Sequence, residues 1–390
     1  MVRFTLFLIL FSLLIKGFSQ PADSVEQKDL VDIIFGSKRE VQLNKQRSER
    51  KVYFSILPAS VSPAGGGRAV ITAVNAAFYL GNPASTNLSN VYIIPVTDFS
   101  MRYGLYVKPT LWSPNNRWNF IGDYRIAYFP QYTWGLSGNS QTTDRTLINS
   151  NYFRIYQNAL LKVANHLFVG PGFAIDHYYN IEETEIENTG HLDKYEIPNT
   201  GSSFTSGMTF TVAYDLRKNQ LNPKQGGYLL TTVRVNSPVF GSDFNQQSLF
   251  VDGRKYLPIG SNDFLCFRSF YWTVLKGSTP YLDLPSVAWV PASGIAARGL
   301  QTGRFRSNAM LYGEAEQRFR LTPNGLFGAV VFANVTSVSE FSSQQFKYWH
   351  AGAGFGLRLK FNKYSDANLA LDLGFSDNFW SAWINLGEVF

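Results

Sequence analysis

The chain has 390 residues and one cysteine, Cys266, so it can build neither an internal disulfide nor a thiolate metal cluster. Charge is also scarce. Asp, Glu, Lys and Arg make up 16% of the sequence, where an ordinary globular protein carries about a quarter. Beyond Ile15 there is no apolar run approaching the roughly twenty residues that a membrane-crossing helix needs. Gly-x-Ser-x-Gly, His-Glu-x-x-His and phosphate-loop patterns are all missing, which removes the motif-level case for an enzyme of those classes. His166, His177, His191 and His350 are scattered, and Asp176 and His177, adjacent in a strand, point to opposite faces. No catalytic residue, metal ligand or cofactor is expected, and no pattern supports nucleic-acid binding. The formal charge of +7, spread over so long a chain, says little about an anionic partner.

What the sequence has in excess is aromatic rings. Its 21 Tyr, 32 Phe and 8 Trp exceed what a core of this size absorbs, and girdles at two membrane interfaces would take them up. Residues 1–19 read as an export signal, with Arg3, the apolar stretch Phe4 to Ile15, and Gly17, Phe18 and Ser19 before a cut at Gln20. Residues 20–50 are polar with one short amphipathic turn at Leu30, Val31, Ile33, Ile34 and Phe35. They read as a periplasmic leader, either flexible or a short helix docking near a barrel mouth or a partner.

From residue 51 to 390 the pattern is a two-residue period. Ala353, Phe355, Leu357, Leu359 and Phe361 alternate with Gly354, Gly356, Arg358 and Lys360; Leu369, Leu371, Leu373 and Phe375 alternate with Ala370, Asp372 and Gly374. Tyr103, Leu105, Val107 and Leu111 oppose Arg102, Gly104, Lys108 and Thr110, and Met208, Phe210, Val212 and Tyr214 oppose Thr209 and Thr211. Strand side chains alternate between faces, so lipid lies on one side and a wet lumen on the other. An exported chain of this kind without a membrane helix enters a bilayer only as a closed barrel, because open sheet edges cannot be satisfied in hydrocarbon. The expected fold is all-β: a transmembrane antiparallel β-barrel in a bacterial outer membrane, N-terminus periplasmic.

Sixteen strands are expected near 51–60, 68–80, 90–97, 102–112, 117–128, 152–164, 166–180, 204–215, 226–236, 247–257, 263–275, 309–321, 326–338, 349–361, 367–376 and 379–389. The long connections, Pro130 to Ser150, Ile181 to Ser203, Asn236 to Gln246, Lys276 to Asn308 and Glu340 to Lys347, all fall on one side. Short ones fall on the other, as in outer-membrane barrels. Ser62 to Gly67 is a tight loop, and Glu182, Glu183, Glu185, Glu187, Asp193 and Glu196 form an acidic loop, read as solvated in preference to a cation site.

The loop Lys276 to Asn308 carries Pro285, Trp289, Pro291, Gly294, Arg298 and Gly299, and the strand after it places Glu314, Glu316, Arg318 and Arg320 on one face. Folded back into the lumen, the loop would pair Arg298 with a carboxylate such as Glu316. Four landmarks then resemble one family: Ala297-Arg298-Gly299-Leu300; Glu316-Gln317-Arg318; the turn from Tyr214 through Asp215, Arg217, Asn219 and Pro223 to Gly226; and the end Leu386-Gly387-Glu388-Val389-Phe390. Together they resemble the BamA/TamA family of outer-membrane assembly and translocation barrels, the bacterial surface antigen family.

The resemblance implies a sixteen-stranded barrel, a sixth extracellular loop re-entering the lumen as a latch at Arg298, Gly299 and Leu300, and a weak seam between first and last strands. Glu314, Glu316, Arg318 and Asn334 are its expected lumen partners. Trp383, Leu386 and Phe390 match the C-terminal barrel signal, with Phe390 also compatible with an interface anchor. Three departures stand out. Leu300 replaces an aromatic ring and Ala297 a valine; Asn334 stands where the family has Asp; and Gln20 to Arg50 is too short for periplasmic POTRA domains. The expected function is accessory work in outer-membrane protein or lipoprotein assembly or export. Its partners would be outer-membrane lipids, other outer-membrane or periplasmic subunits in a hetero-complex, and unfolded barrel or lipoprotein clients. The alternative is a passive channel or structural subunit.

Overall fold

The computed structural model describes residues 25–35, 52–61, 70–97, 102–184, 191–192, 195, 201–287, 296–377 and 379–390. The export signal, most of the leader, the tight loop 62–67, the acidic residues from Glu185 to Glu196, and Trp289, Pro291 and Gly294 lie outside them. The strands are β1 (Val52–Val61), β2 (Val70–Phe78), β3 (Ser89–Thr97), β4 (Tyr103–Trp112), β5 (Trp118–Tyr128), β6 (Gln131–Thr133), β7 (Thr146–Ala164), β8 (Leu167–Thr184) and β9 (Ser202–Asp215). There follow β10 (Gly226–Asn236), β11 (Gln246–Pro258), β12 (Phe264–Gly277), β13 (Ala309–Arg320), β14 (Phe327–Val338), β15 (His350–Asn362), β16 (Ala367–Ser376) and β17 (Phe379–Leu386).

Every long strand pairs antiparallel with the next long strand in sequence, from β1 to β17. β6 adds only a three-residue arm to β7. Without it sixteen strands remain, and β17 lies beside β1 to make a nearly closed barrel. No helix of the described residues is long and apolar enough to cross a membrane.

The alternation read from the sequence sets the two faces. Met208, Phe210 and Tyr214 are exposed while Thr209 and Thr211 are buried; Phe355 and Leu357 are exposed while Arg358 is buried. Apolar side chains outside and buried charges inside invert the order of a soluble protein, as lipid surroundings require.

Three strand boundaries differ from expectation. β7 starts at Thr146, not near 152, and β8 runs to Thr184, because Leu147, Ile148 and Asn149 pair with Thr184, Glu183 and Glu182. The Asn-Ser-Asn run at 149–151 resembles a turn, but the partner strand extends the ladder through it. Glu183 therefore accepts from Thr146 Oγ1 at 2.9 Å and from the backbone of His191 at 2.8 Å, and belongs to no solvated loop. At the other terminus β17 stops at Leu386 because Gly387 takes φ +91°. The last residues turn into the lumen.

One end of the barrel carries a short helix, α1 (Leu30–Phe35). Asp29 and Asp32 cap its first turn reciprocally, each accepting from the other's backbone N–H, at 3.1 and 2.9 Å. Asp29 also accepts from the Lys363 backbone N–H at 2.9 Å, and Lys363 Nζ lies 3.0 Å from Asp32. Lys28 donates to the Asn324 carbonyl at 3.0 Å. The helix is thus fastened to the β13–β14 and β15–β16 turns. By strand parity the short turns, 216–225 among them, share this α1 end, and the long loops lie at the opposite end.

Candidate functional site

The segment 296–308 enters the barrel between β12 and β13 and turns tightly at Ala297 (φ +58°) and Gly299 (φ +93°). The Leu300 N–H closes the turn onto the Ala297 carbonyl at 2.9 Å. At its tip Arg298 is wholly buried. Its Nη1 donates to Asp372 on β16 at 2.7 Å, and its Nη2 to Glu316 at 2.5 Å and to Glu314, both on β13. The guanidinium lies 3.6 Å above the Phe332 ring centroid, a stacked position that a lysine could not reproduce. The Arg298 carbonyl accepts from Asn334 Nδ2 at 2.9 Å, and the Gly299 N–H donates to Ser381 Oγ at 3.1 Å. So close an approach needs a bare wall. A Cβ on Gly374 would sit 2.5 Å from the Gly299 nitrogen.

The ionic cluster continues toward the α1 end. Glu316 accepts from Arg318 Nε at 2.6 Å; Arg358 bridges Asp372 at 2.6 Å and Glu388 at 2.8 Å. Arg318 lies 3.7 Å from Glu388 and donates to the Phe390 backbone oxygen at 2.9 Å. Three cations face four carboxylates, all with buried side chains, and Tyr312 donates a hydrogen bond to Glu314. Removing one member of such a cluster leaves buried charge unpaired, at a cost of about 3–5 kcal/mol.

The structure brings Arg298, Glu314, Glu316 and Asn334 together. Arg318 does not touch Arg298. Leu300 makes no ionic contact and packs in an apolar cluster with Phe305, Met310, Tyr312 and Val338. Trp383 faces inward, its Nε1 donating to Ser381 Oγ at 2.8 Å, and Leu386 is buried. Phe390 corrects its expectation as an interface anchor. It is buried inside the barrel against Tyr256, Cys266 and Val389, because the turn at Gly387 takes it off the wall.

Among the motif residues of turn 216–225, Asp215 binds the Arg217 guanidinium at 2.9 and 2.8 Å, and Arg217 stacks 3.8 Å over Tyr228. Asn219 and Pro223 reach other elements, as described below. Gly226 takes φ +99°, which the close Leu216 carbonyl requires.

Sequence reasoning missed two groups. Asp372 was legible as an inward residue of β16 but not as a partner of Arg298. A second ionic cluster lines the wall from β5 to β12. There Asp123 binds Arg125 at 2.7 Å, Asp176 takes Arg154 at 2.8 Å and Arg234 at 2.7 Å, and Asp252 takes Arg254 at 2.7 Å and Arg268 at 3.0 Å. The signal was there: every member is an inward position of its strand. In the loop after β12, Asp283 accepts from Thr205 Oγ1 at 2.8 Å; burial first, and the Asp176 carboxylate second, push its carboxyl up to about 7. Arg306, wholly buried, donates to the Tyr281 carbonyl at 2.7 Å and to Gln131 Oε1 at 3.2 Å. It joins the loop to β6. No group of three or more metal-ligating side chains occurs among the described residues.

Sixteen long antiparallel strands, apolar outside and ionic within, with a buried arginine of the β12–β13 connection set among their inward charges, define an outer-membrane β-barrel. Residues 99–375 match the Omp85 superfamily domain, and the chain belongs to that superfamily. Its fold is similar to the crystal structure of BamA from Haemophilus ducreyi lacking POTRA domains 1-3, with a TM-score of 0.55 at 12% identity, over 90% of this chain and 78% of that one. It is similar to CdiB from Acinetobacter baumannii (TM-score 0.54, 13% identity, 86% of this chain, 60% of that one) and from Escherichia coli (0.54, 11%, 88% and 63%). The chain thus spans less than two thirds of either CdiB structure. No curated protein sequence matches it.

Proposed function

We propose that this barrel acts in outer-membrane biogenesis or export, as an accessory subunit whose working surface is the seam between β1 and β17. In this reading residues 1–19 direct export, the α1 end faces the periplasm, and residues 276–308 form an extracellular loop latched by Arg298. Partner subunits supply client recognition. The clients are unfolded barrels or lipoproteins.

The observation that carries the reading is the seam. Fifteen strand pairs have antiparallel registers, some with bulges, whereas β1 and β17 lie side by side with no paired register among the described residues. An unpaired strand edge templates an incoming strand. β17 has only 8 residues, fewer than the roughly 9–11 that cross a bilayer, so the membrane thins where a client would enter.

Depletion tests this in the native host. The levels of other outer-membrane barrels and surface lipoproteins are expected to fall; normal levels would sink the proposal. A passive channel would require an open lumen, whereas the loop tip and the inward-turned tail occupy this one. Planar-bilayer conductance separates the two: a wide pore insensitive to Arg298→Ala would favour the channel.

A further inference from the structure

The turn 216–225 joins β9 to β10, with eight long strands on either side of it, so it starts from the wall opposite the seam. It does not stay there. Asn219 Nδ2 donates to the Ser365 carbonyl at 2.9 Å and Asn222 Nδ2 to the Asp366 carbonyl at 3.3 Å, both in the β15–β16 turn. Lys224 Nζ lies 2.6 Å from the Asp366 carboxylate. The Leu221 carbonyl accepts from the Glu388 N–H at 2.9 Å, and the Pro223 carbonyl from Arg318 at 3.3 Å. These contacts hold the β17 side.

The same turn holds the β1 side. Leu221, the one apolar residue between Arg217 and Gln225 apart from Pro223, is buried with Ala77 of β2, Leu88 at the start of β3 and Ala367 of β16, against Tyr53, Tyr79 and Tyr92. Around it two contacts cross the seam: Tyr92 on β3 donates to the Leu386 carbonyl at 3.2 Å, and Tyr53 of β1 stacks on Tyr364, ring centroids 6.1 Å apart. All of them lie at the α1 end.

We infer that turn 216–225 is a cross-lumen lock on the seam: a strut braced by Asp215 and Arg217 on the far wall, whose tip grips β1–β3 through Leu221 and the β15–β17 side through Asn219, Asn222 and Lys224. The seam shows no ladder of its own among the described residues, so its closure depends on this grip. Asp366 supplies the ionic component. Burial raises its carboxyl, and Lys360 and Lys224 more than offset that, holding it below the usual carboxylate range. The lock as a gate rests on the proposal that the seam opens; the lock as a restraint does not.

The test uses the full chain in lipid nanodiscs, with Cys266→Ser as background. Lys224→Cys/Asp366→Cys is compared unbridged and bridged by a short bis-maleimide, reading amide hydrogen exchange in β1 and β17. Unbridged, exchange in both strands is expected to rise about two- to fivefold, as loss of a partly exposed ion pair would bring; bridged, it returns to the parent rate or below. Exchange unchanged by unbridging, in protein that still shows the heat-modifiable folded band, would overturn the lock. Should the double variant fail to fold, Leu221→Ala against the parent tests the same grip: exchange in β1 and β17 is expected to rise, and an unchanged rate in folded protein would overturn the lock. A bridged barrel that is shut yet still supports client assembly would leave the lock standing and remove seam opening from the proposed function.

Discussion

The wall from β13 to β16 and the strands flanking the seam are built from different chemistry. β13, β15 and β16 supply Glu314, Glu316, Arg318, Arg358 and Asp372, all buried and all in charged hydrogen bonds with one another or with Arg298. β1, β2, β3 and β17 contain no charged residue at all. Directly across the β1–β2 ladder sit Ser55 and Asn75, both buried, and neither the Ser55 hydroxyl nor the Asn75 amide has a hydrogen-bond partner among the described residues. A buried charge cluster fixes one geometry, since any displacement strands a charge. Neutral strands have no such ionic restraint, and β1 is held to β2 by its backbone ladder alone at this level. Charge pairs hold one wall of the barrel, and the strands beside the seam have none of their own.

The largest expected effect breaks the rigid wall. Arg298→Ala leaves Glu314, Glu316 and Asp372 facing one another without their shared cation, and should cost about 3–5 kcal/mol; heat-titrated gel mobility of the folded barrel would show its band lost at markedly lower temperature. Arg298→Lys should recover only part of this, because a lysine reaches fewer carboxylates and does not stack on Phe332. On the seam side the sign reverses. Asn75→Leu removes an unpartnered buried amide and should stabilise by about 1 kcal/mol while lowering client assembly, measured as barrel levels in a complemented depletion strain.

The smallest effect is a pH dependence. An acid whose carboxyl is raised in the folded state favours folding at low pH and withdraws that stability as pH rises. The loop around Asp283 should therefore be best protected near the ordinary carboxylate pKa of about 4 and lose that protection progressively as pH rises to about 7. Amide exchange of residues 279–287 would show it, and Asp283→Asn should abolish the dependence.

Much of this was legible in the sequence. Alternation located the sixteen strands and their faces, and Glu314 and Glu316 could be matched to Arg298 because all three lie within one loop and strand. Asp372 could not, because 74 residues separate it from Arg298 and only the register of intervening strands brings it near. Turn 216–225 shows its motif but not its destination: Asn219 and Asn222 look like ordinary turn residues until the β15–β16 carbonyls they reach are in view. Residues 387–389 read as strand, leaving Phe390 at the wall, because nothing local outweighs the alternation of Trp380 to Leu386 except Gly387.

Inter-strand distances between spin labels test the division between the two walls most directly. In the Cys266→Ser background, labels at Phe54→Cys on β1 and Leu371→Cys on β16, which pairs with Ile384 of β17, report the seam; labels at Val335→Cys on β14 and Phe355→Cys on β15 report the charged wall. With the lock released by Leu221→Ala, a narrow distribution is expected across β14–β15, and across the seam a broad one extending at least a strand spacing, about 5 Å, further. Equally narrow distributions at both sites would contradict it.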